Sequence, residues 1–332
     1  MNEKYMEALA QYDLTVDSIR KGRSGWICET SRGTMLLQEY RGTMKRLEFE
    51  TQVLGQVSQS GLLQVDDYIR TTGGELISLA EDGTRYTLKH WYIGRECNIK
   101  DHREVKQAVG KIAILHQILK KIPIQEDWNL GSIQVETATE EMERHSQELK
   151  RARNFMKSKG RKTDFERCAL GSFSVFFAQA QEAVEGMSRL TGDSEDVAPS
   201  LCHGDLDQHH IIIEEKNVAV IEYHKLHLGD QMTDLYHFMR KVLEKHDWNQ
   251  SLGLELLNAY DRVTPLTGRD RESLYYLFLY PEKYWKQINF YMSANKVWIP
   301  DRNLEKLKSL EGQTDQRNQF LSVIKEAGRT GG

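Results

Sequence analysis

A short β segment interrupts the mostly helical later part of the chain, and the order of its residues limits the folds that the chain can adopt. A polar loop begins with His203 and Asp205, which are separated by one glycine. Apolar runs at 211–213 and 218–223 flank a turn, which predicts a β-hairpin. Glu222 stands near the end of the second run. Because a hairpin is rigid, it would hold the carboxylates of Asp205 and Glu222 at a fixed separation.

The part of the chain up to about residue 92 is typical of a small antiparallel sheet with one helix. Residues 26–30 and 35–40 surround a turn that contains Gly33, which predicts a hairpin. Residues 43–57 predict a helix, and Glu50 lies within its apolar face, an informative place for an acid. Three further runs predict strands, at 62–70, 75–80 and 85–92.

From about residue 101 the pattern is mainly helical, so the sequence predicts an α+β protein. Helices are expected at about 105–119, 136–157 and 173–190. After the hairpin, Asp234 is placed to cap a helix over 235–243. Nine aromatic residues fall between Tyr275 and Trp298. We interpret them as the core of the last helices, with an exposed docking surface as the alternative.

Composition excludes several classes of protein. The 332 residues carry 45 Lys and Arg against 49 Asp and Glu, a net charge of −4, so the basic excess of a nucleic-acid-binding protein is missing. The four cysteines form no Cys-x-x-Cys pair, which argues against a zinc knuckle or a redox motif. The N-terminus lacks a signal-peptide core, and no apolar run approaches the length of a membrane span. We therefore expect synthesis in the cytoplasm and no membrane span.

The loop with His203 and Asp205, the hairpin and the acid at its end together resemble the catalytic layout of the protein-kinase-like fold. Within that fold the chain resembles the aminoglycoside phosphotransferase and choline kinase branch, and most closely the CotS-type spore-coat kinase-like family. The segments that carry the resemblance lie in family order at 91–96, 113–116, 203–209, 280–286 and 298–300.

This resemblance implies a two-lobe fold with its seam near residue 93. Residues 1–93 would form the small N-lobe, and 94–332 the large helical C-lobe, with the catalytic hairpin at about 200–235. Asp205 would accept the proton of a substrate hydroxyl, and His203 would belong to the same catalytic loop. The hinge at Trp91, Tyr92 and Ile93 would face the adenine of a nucleotide.

Several positions depart from an active kinase. The strand position that should hold a phosphate-binding lysine is Gln38, and Glu50 is the helix acid that would have paired with it. The two metal-binding positions are His210, a poor ligand for Mg²⁺, and Glu222, a hard oxygen ligand one methylene longer than aspartate. Arg41 or Lys45 are candidates to replace the missing lysine. A separate transition-metal site among the neighbouring histidines is a weaker alternative.

These departures favour a degenerate phosphotransferase site in a spore-coat protein that acts by binding and assembly. Its partners would then be other spore-coat proteins, and its location the mother cell and then the coat of a spore former. The alternatives are an active ATP- and Mg²⁺-dependent phosphotransferase that acts on a hydroxyl of a small molecule or saccharide, and a pseudokinase that binds nucleotide without turnover. ATP and Mg²⁺ are the cofactors that the resemblance implies, bound weakly or not at all if the site is degenerate.

Overall fold

The computed structural model describes residues 4–126, 128, 130–192, 199–215, 217–294 and 301–329. The chain divides into two compact units. Unit 1 contains the described residues up to 134 together with 200–228, and unit 2 contains those of 135–199 and from 229 onward. The lobe boundary near residue 93 remains a prediction.

Unit 1 carries the described strands and four α-helices. The strands are β1 (Val16–Lys21), β2 (Trp26–Thr30), β3 (Gly33–Glu39), β4 (Gln64–Val65), β5 (Tyr68–Ile69), β6 (Ser78–Leu79), β7 (Arg85–His90), β8 (Arg95–Glu96), β9 (Ser200–Cys202), β10 (Ile211–Glu214), β11 (Asn217–Val220) and β12 (His227–Gly229), the last of which ends at the unit boundary. The helices are α1 (Lys4–Leu9), α2 (Met44–Gln59), α3 (His102–Leu119) and α4 (Leu130–Ile133).

The larger sheet of unit 1 has the strand order β1-β2-β3-β7-β5, with β6 also paired to β7, and every pairing is antiparallel. The predicted β2–β3 hairpin is confirmed: Thr30 pairs with Gly33, whose φ of 101° is a conformation that glycine adopts without strain. The predicted helix is α2. The Thr43 side chain caps it by accepting a hydrogen bond from the Arg46 backbone, and Glu50 is buried within it.

The strand predicted over 62–70 is instead two short strands, β4 and β5. Asp66 and Asp67 separate them, and the Asp67 N–H closes a turn on the carbonyl of Val65. The buried Asp66 carboxylate needs polar partners, which a continuous strand would not bring to it. The strand predicted over 75–80 is also shorter than expected, since only β6 forms there. In contrast, β7 fills most of its predicted range.

The predicted hairpin after the polar loop is present as β10 and β11, which pair antiparallel from Ile211 and Val220 to Glu214 and Asn217. Its flanks are β8 on one side and β4 on the other. The loop with His203 and Asp205 follows β9, which pairs with β12.

Unit 2 is helical in its described residues. Its helices are α5 (Ala138–Ser158), α6 (Asp164–Gly192), α7 (Gln231–Lys245), α8 (Gln250–Asp261), α9 (Gly268–Leu279), α10 (Glu282–Ser293), α11 (Asp301–Gly312) and α12 (Thr314–Arg329). The charge-rich helix α5 nevertheless buries Met142, Leu149 and Met156 against its neighbours. None of the helices in the described ranges combines the length and apolarity that a bilayer span requires.

The aromatic residues after 275 are mainly core, as expected. Tyr275, Phe278, Tyr280, Tyr284 and Tyr291 are all buried. Tyr276 and Trp285 are partly exposed and Phe290 is exposed, while Trp298 and the rest of the segment 298–300 lie outside the described residues. The Tyr284 hydroxyl donates to the carbonyl of Ala169 at 2.7 Å, so this core also satisfies its polar atoms.

The prediction that Asp234 caps a helix is wrong. Helix α7 begins at Gln231, and its cap is Asp230, whose carboxylate accepts a hydrogen bond from the Met232 backbone at 2.9 Å. The other Asp230 oxygen accepts the Ser273 hydroxyl at 2.7 Å, which fixes the cap from another helix. Asp234 lies one turn further on and is buried.

Candidate functional site

The loop after β9 places Asp205 above a buried histidine. The Asp205 N–H donates to Nδ1 of His203 at 3.2 Å, so the proton of this imidazole lies on Nε2, which donates to the carbonyl of Ile221 at 3.0 Å. His203 is fully buried and therefore shapes the loop. Gly204 makes the sharp turn possible: its φ is 84°, and a Cβ there would lie 2.3 Å from the carbonyl oxygen of Lys225.

Asp205 is bound by a lysine and a histidine of the segment that follows β11. Its Oδ2 lies 3.0 Å from Nζ of Lys225 and 3.7 Å from Nε2 of His224. Burial alone would raise the pKa of Asp205, but the hydrogen bond and charge of Lys225 outweigh it and hold the pKa below its ordinary value. The carboxylate is therefore ionised at neutral pH and already has a protein partner.

Glu222 is held in a strained backbone conformation beside the imidazole of His224. Its φ is 69°, a left-handed value that costs a non-glycine residue about 1–3 kcal/mol. Its N–H donates to Oδ2 of Asp66 at 3.1 Å, and its carboxylate accepts the Ser24 hydroxyl at 3.0 Å. Nδ1 of His224 lies 3.9 Å from the Glu222 carboxylate, so this imidazole stands between the two acids. Burial lowers the pKa of His224, which favours its neutral form.

Asp66 pairs with a buried lysine that the sequence reasoning missed. Nζ of Lys89, on β7, lies 3.2 Å from Oδ2 of Asp66, and both side chains are almost inaccessible to solvent. Burial raises the pKa of Asp66 to about 6, against the charge of Lys89, and the neighbouring Glu222 adds to the rise. A lysine in a predicted strand and an acid in an apolar run were the available signals, but nothing in the sequence pairs them.

Gln38 and Glu50 lie in the elements where they were predicted. Gln38 is on β3 opposite Thr87, and the buried Glu50 is on α2. The Glu50 carboxylate is already satisfied: it lies 2.5 Å from Nε of Arg46 and accepts the Tyr68 hydroxyl at 2.7 Å.

Neither candidate for replacing the missing lysine has support from the contacts. Arg41 pairs with Glu39 at 2.9 Å on the surface, and Lys45 is exposed.

His210 is engaged with an acid of its own loop. Its Nδ1 lies 3.2 Å from Oδ1 of Asp207. Burial lowers the pKa of His210, but the neighbouring carboxylate of Asp207 prevails and raises the pKa. The neighbouring His209 has a different partner, because its Nδ1 lies 2.5 Å from Oε2 of Glu96.

No group of three or more His, Cys, Asp and Glu side chains in the described ranges is arranged to hold a metal ion. Mg²⁺ that arrives with phosphates needs only one or two protein carboxylates, and Asp205 and Glu222 offer those.

The predicted hinge packs on the catalytic hairpin. Trp91 and Tyr92 lie against the apolar side chains of Ile212, Ala219 and Ile221. The Tyr92 hydroxyl donates to the carbonyl of Val65, and the Trp91 N–H donates to the carbonyl of Thr34, both within 3.0 Å. Ile93 is half exposed.

Solved structures share this architecture. An aminoglycoside phosphotransferase from Alicyclobacillus acidocaldarius has a TM-score of 0.85 and 15% identity over 98% of this chain and 96% of that one. An AMP-bound spectinomycin phosphotransferase has a TM-score of 0.62 and 10% identity, covering 96% of this chain and 97% of its own. An amicoumacin kinase in complex with AMP-PNP and Ca²⁺ has a TM-score of 0.57 and 14% identity, covering 97% and 94%. The fold is therefore the protein-kinase-like fold of the aminoglycoside phosphotransferases, as predicted.

The family model described as spore coat putative kinase YutH matches residues 7–324, and the chain belongs to this family. Spore coat protein S of Bacillus subtilis is 23% identical over 347 aligned positions, which cover 96% of this chain and 93% of that protein. The predicted resemblance to spore-coat kinase-like proteins is confirmed.

Proposed function

We propose that this chain acts in the spore coat as a kinase-like binding and assembly protein, and that its site is degenerate for phosphoryl transfer. The pairing of Asp205 with Lys225 carries the proposal. A general base works best with a pKa near the working pH, and Lys225 moves the pKa of Asp205 in the opposite direction. Lys225 also occupies Oδ2 of Asp205, one of the two oxygens that could accept a substrate hydroxyl.

The other key positions support the same proposal. An amide at Gln38 carries no charge to place against phosphates, and the imidazole at His210 is held by Asp207. Phosphoryl transfer depends on charge placement, so these changes together would remove most of the rate. The coat location and coat partners rest on the family and on the likeness to spore coat protein S.

The experiment separates transfer from assembly. Purified chain is incubated with ATP and Mg²⁺, and ADP release and phosphate incorporation are measured beside the Asp205→Asn variant. In parallel, fluorescently tagged parent and variant are expressed in a sporulating bacterium. We expect no difference in ADP release between them and equal incorporation into the coat. Turnover that Asp205→Asn abolishes would contradict the degenerate site, and failure of the parent chain to enter the coat would contradict the assembly role.

An active ATP- and Mg²⁺-dependent phosphotransferase is the second candidate. The observation in its favour is that Asp205 and Glu222, the two carboxylates such a reaction needs, both lie beside the imidazole of His224. ADP release that depends on Asp205 while coat incorporation does not would favour this candidate.

A further inference from the structure

Lys89, the buried lysine of unit 1, lies on the same face of the larger sheet as Gln38, the position where the resemblance to kinases predicts a lysine. In the β3–β7 pairing, Leu36 is opposite Lys89 and Gln38 is opposite Thr87. Residues two apart on a strand share a face, so Gln38 and Lys89 are diagonal neighbours. Such neighbours lie about 7–8 Å apart, a distance that a lysine side chain can span. The cation missing from β3 therefore has a counterpart on the adjacent strand.

Lys89 keeps its positive charge because acids surround it. Burial lowers the pKa of a lysine, but the charges of Asp66, Glu222 and Glu50 outweigh it, and the pKa of Lys89 is raised. These are the acids of the site itself: Glu222 ends the catalytic hairpin, and Glu50 is the helix acid predicted to pair with the missing lysine. Lys89 thus has the electrostatic neighbourhood expected of a lysine at position 38.

The hydrogen bonding around Lys89 is incomplete. A lysine ammonium has three donors, and its hydrogen-bond partner within the described residues is Asp66. Its Nζ also lies 4.6 Å from the ring centre of Tyr68. The Oδ1 atom of Asp66 is buried and has no hydrogen-bond partner in the described part of the chain. Buried donors and acceptors are rarely left in this state, so the cluster has unused hydrogen-bonding capacity for a polar ligand.

We propose that Lys89 binds the phosphate groups of a nucleotide in this site, in place of a lysine at position 38. A phosphate oxygen would accept from the donors of Lys89 that Asp66 does not use, in a charge-assisted hydrogen bond. The inference goes beyond the assembly role and does not require phosphoryl transfer.

The main test measures ADP and ATP affinity by calorimetry on the full chain, with and without Mg²⁺. The double variant Lys89→Met/Asp66→Asn removes the cation without leaving an unpaired buried acid. We expect it to bind ADP about 10- to 100-fold more weakly than the parent. Adding Gln38→Lys to this double variant returns a lysine to the same face and should restore most of the affinity. Lys21→Met, an exposed lysine of the same sheet, is the matched control and should change nothing.

A second pair of variants tests the same point without removing Lys89. Asp66→Asn frees Lys89 from its acid and should tighten ADP binding several-fold. Asp67→Asn makes the same change of charge one residue away, outside this pair, and should have little effect. Equal effects of the two variants would overturn the proposal, because the gain would then be a general effect of charge.

Two further results would overturn it. One is a folded double variant that binds ADP within twofold of the parent, or that Gln38→Lys does not rescue, because Lys89 would then serve the fold alone. The other is a parent chain that binds no nucleotide at millimolar concentration with or without Mg²⁺. That last result would leave the assembly proposal standing, since incorporation into the coat is measured separately.

Discussion

Two largely buried carboxylates, Asp66 in unit 1 and Glu282 in unit 2, each lie beside a cation, yet their pKa values move in opposite directions. Burial raises the pKa of Asp66 to about 6, and its one cationic partner, Lys89, is shared with other acids. Burial would raise the pKa of Glu282 too, but the charges of Arg240 and Lys286 lower it to about 2.

The difference lies in the balance of acids and bases in each network. Glu282 accepts the Tyr236 hydroxyl at 2.8 Å and pairs with Arg240 at 3.3 Å and with Lys286. Arg240 in turn lies 2.9 Å from Glu244, so acids and bases alternate. The network of Asp66 has more acids than bases, a buried carboxylate oxygen without a hydrogen-bond partner in the described residues, and a strained neighbour, Glu222. Removing one partner from a charge-balanced buried network is strongly destabilising, whereas a network with excess acid is a candidate for ligand binding.

The largest effect should come from breaking the charge-balanced network of Glu282. Arg240→Met leaves Glu282 and Glu244 with one cation fewer in a buried place, and we expect a loss of about 3–5 kcal/mol in the free energy of unfolding. Chemical denaturation monitored by far-UV circular dichroism measures it. Arg144→Met, which breaks an exposed pair with Glu136, is the control and should cost less than about 1 kcal/mol. Equal losses in the two variants would show that the buried network adds nothing special.

The two acids should also respond oppositely to pH. Because the pKa of Glu282 is below its ordinary value, its contribution to stability is present above pH 4.5 and is lost as the pH falls towards 2. Because the pKa of Asp66 is above its ordinary value, its contribution is present below pH 4 and is lost as the pH rises through 6.

At pH 7 we therefore expect Glu282→Gln to lose up to about 3 kcal/mol, and Asp66→Asn to change stability by less than about 1 kcal/mol. Between pH 7 and 5 the parent should gain stability relative to Asp66→Asn but not relative to Glu282→Gln. Unfolding midpoints measured across this range check both statements. Parallel curves for the two variants would refute the contrast.

The site loop gives a third, smaller effect. Gly204 and Gly83 have φ values of 84° and 83°, but a Cβ at Gly204 would collide with the carbonyl of Lys225, whereas a Cβ at Gly83 would meet no atom of the described residues within 4 Å. Gly83→Ala should cost about 1 kcal/mol through backbone strain alone. Gly204→Ala should cost roughly 1–3 kcal/mol more because the loop must shift. Thermal melts of the two variants give the difference. Equal losses of stability would mean that the loop with Asp205 can shift at no measurable cost.

Local signals in the sequence were sufficient for much of this structure. The glycine of the β2–β3 turn, the threonine before α2 and the apolar runs of β10 and β11 each act within a few residues. The polar loop and the acid after its hairpin were found for the same reason.

Long-range choices were not predictable from the sequence. Asp66 and Lys89 meet only through the pairing of β5 with β7, which places Tyr68 opposite Lys89. In the sequence alone, a lysine in an alternating strand is typical of a solvent-facing position. The prediction for the cap of α7 was wrong for a similar reason. In the sequence, Asp230 and Asp234 both suit the role, and it is a hydrogen bond from Ser273, on another helix, that supports Asp230.

The smallest predicted effect tests whether backbone strain at Glu222 is part of the difference between the Asp66 and Glu282 networks. Replacing Glu222 by glycine relieves its left-handed backbone, a cost of about 1–3 kcal/mol, but adds freedom to the unfolded chain worth about 0.5–1 kcal/mol. We expect a net gain in stability of about 1 kcal/mol, measured by chemical denaturation. Glu214→Gly, at an exposed position on β10, should instead lose about 0.5–1 kcal/mol. Equal destabilisation by both glycines would mean that the backbone of Glu222, whose N–H donates to Asp66, is not strained. The Asp66 network would then differ from the Glu282 network in its charges alone.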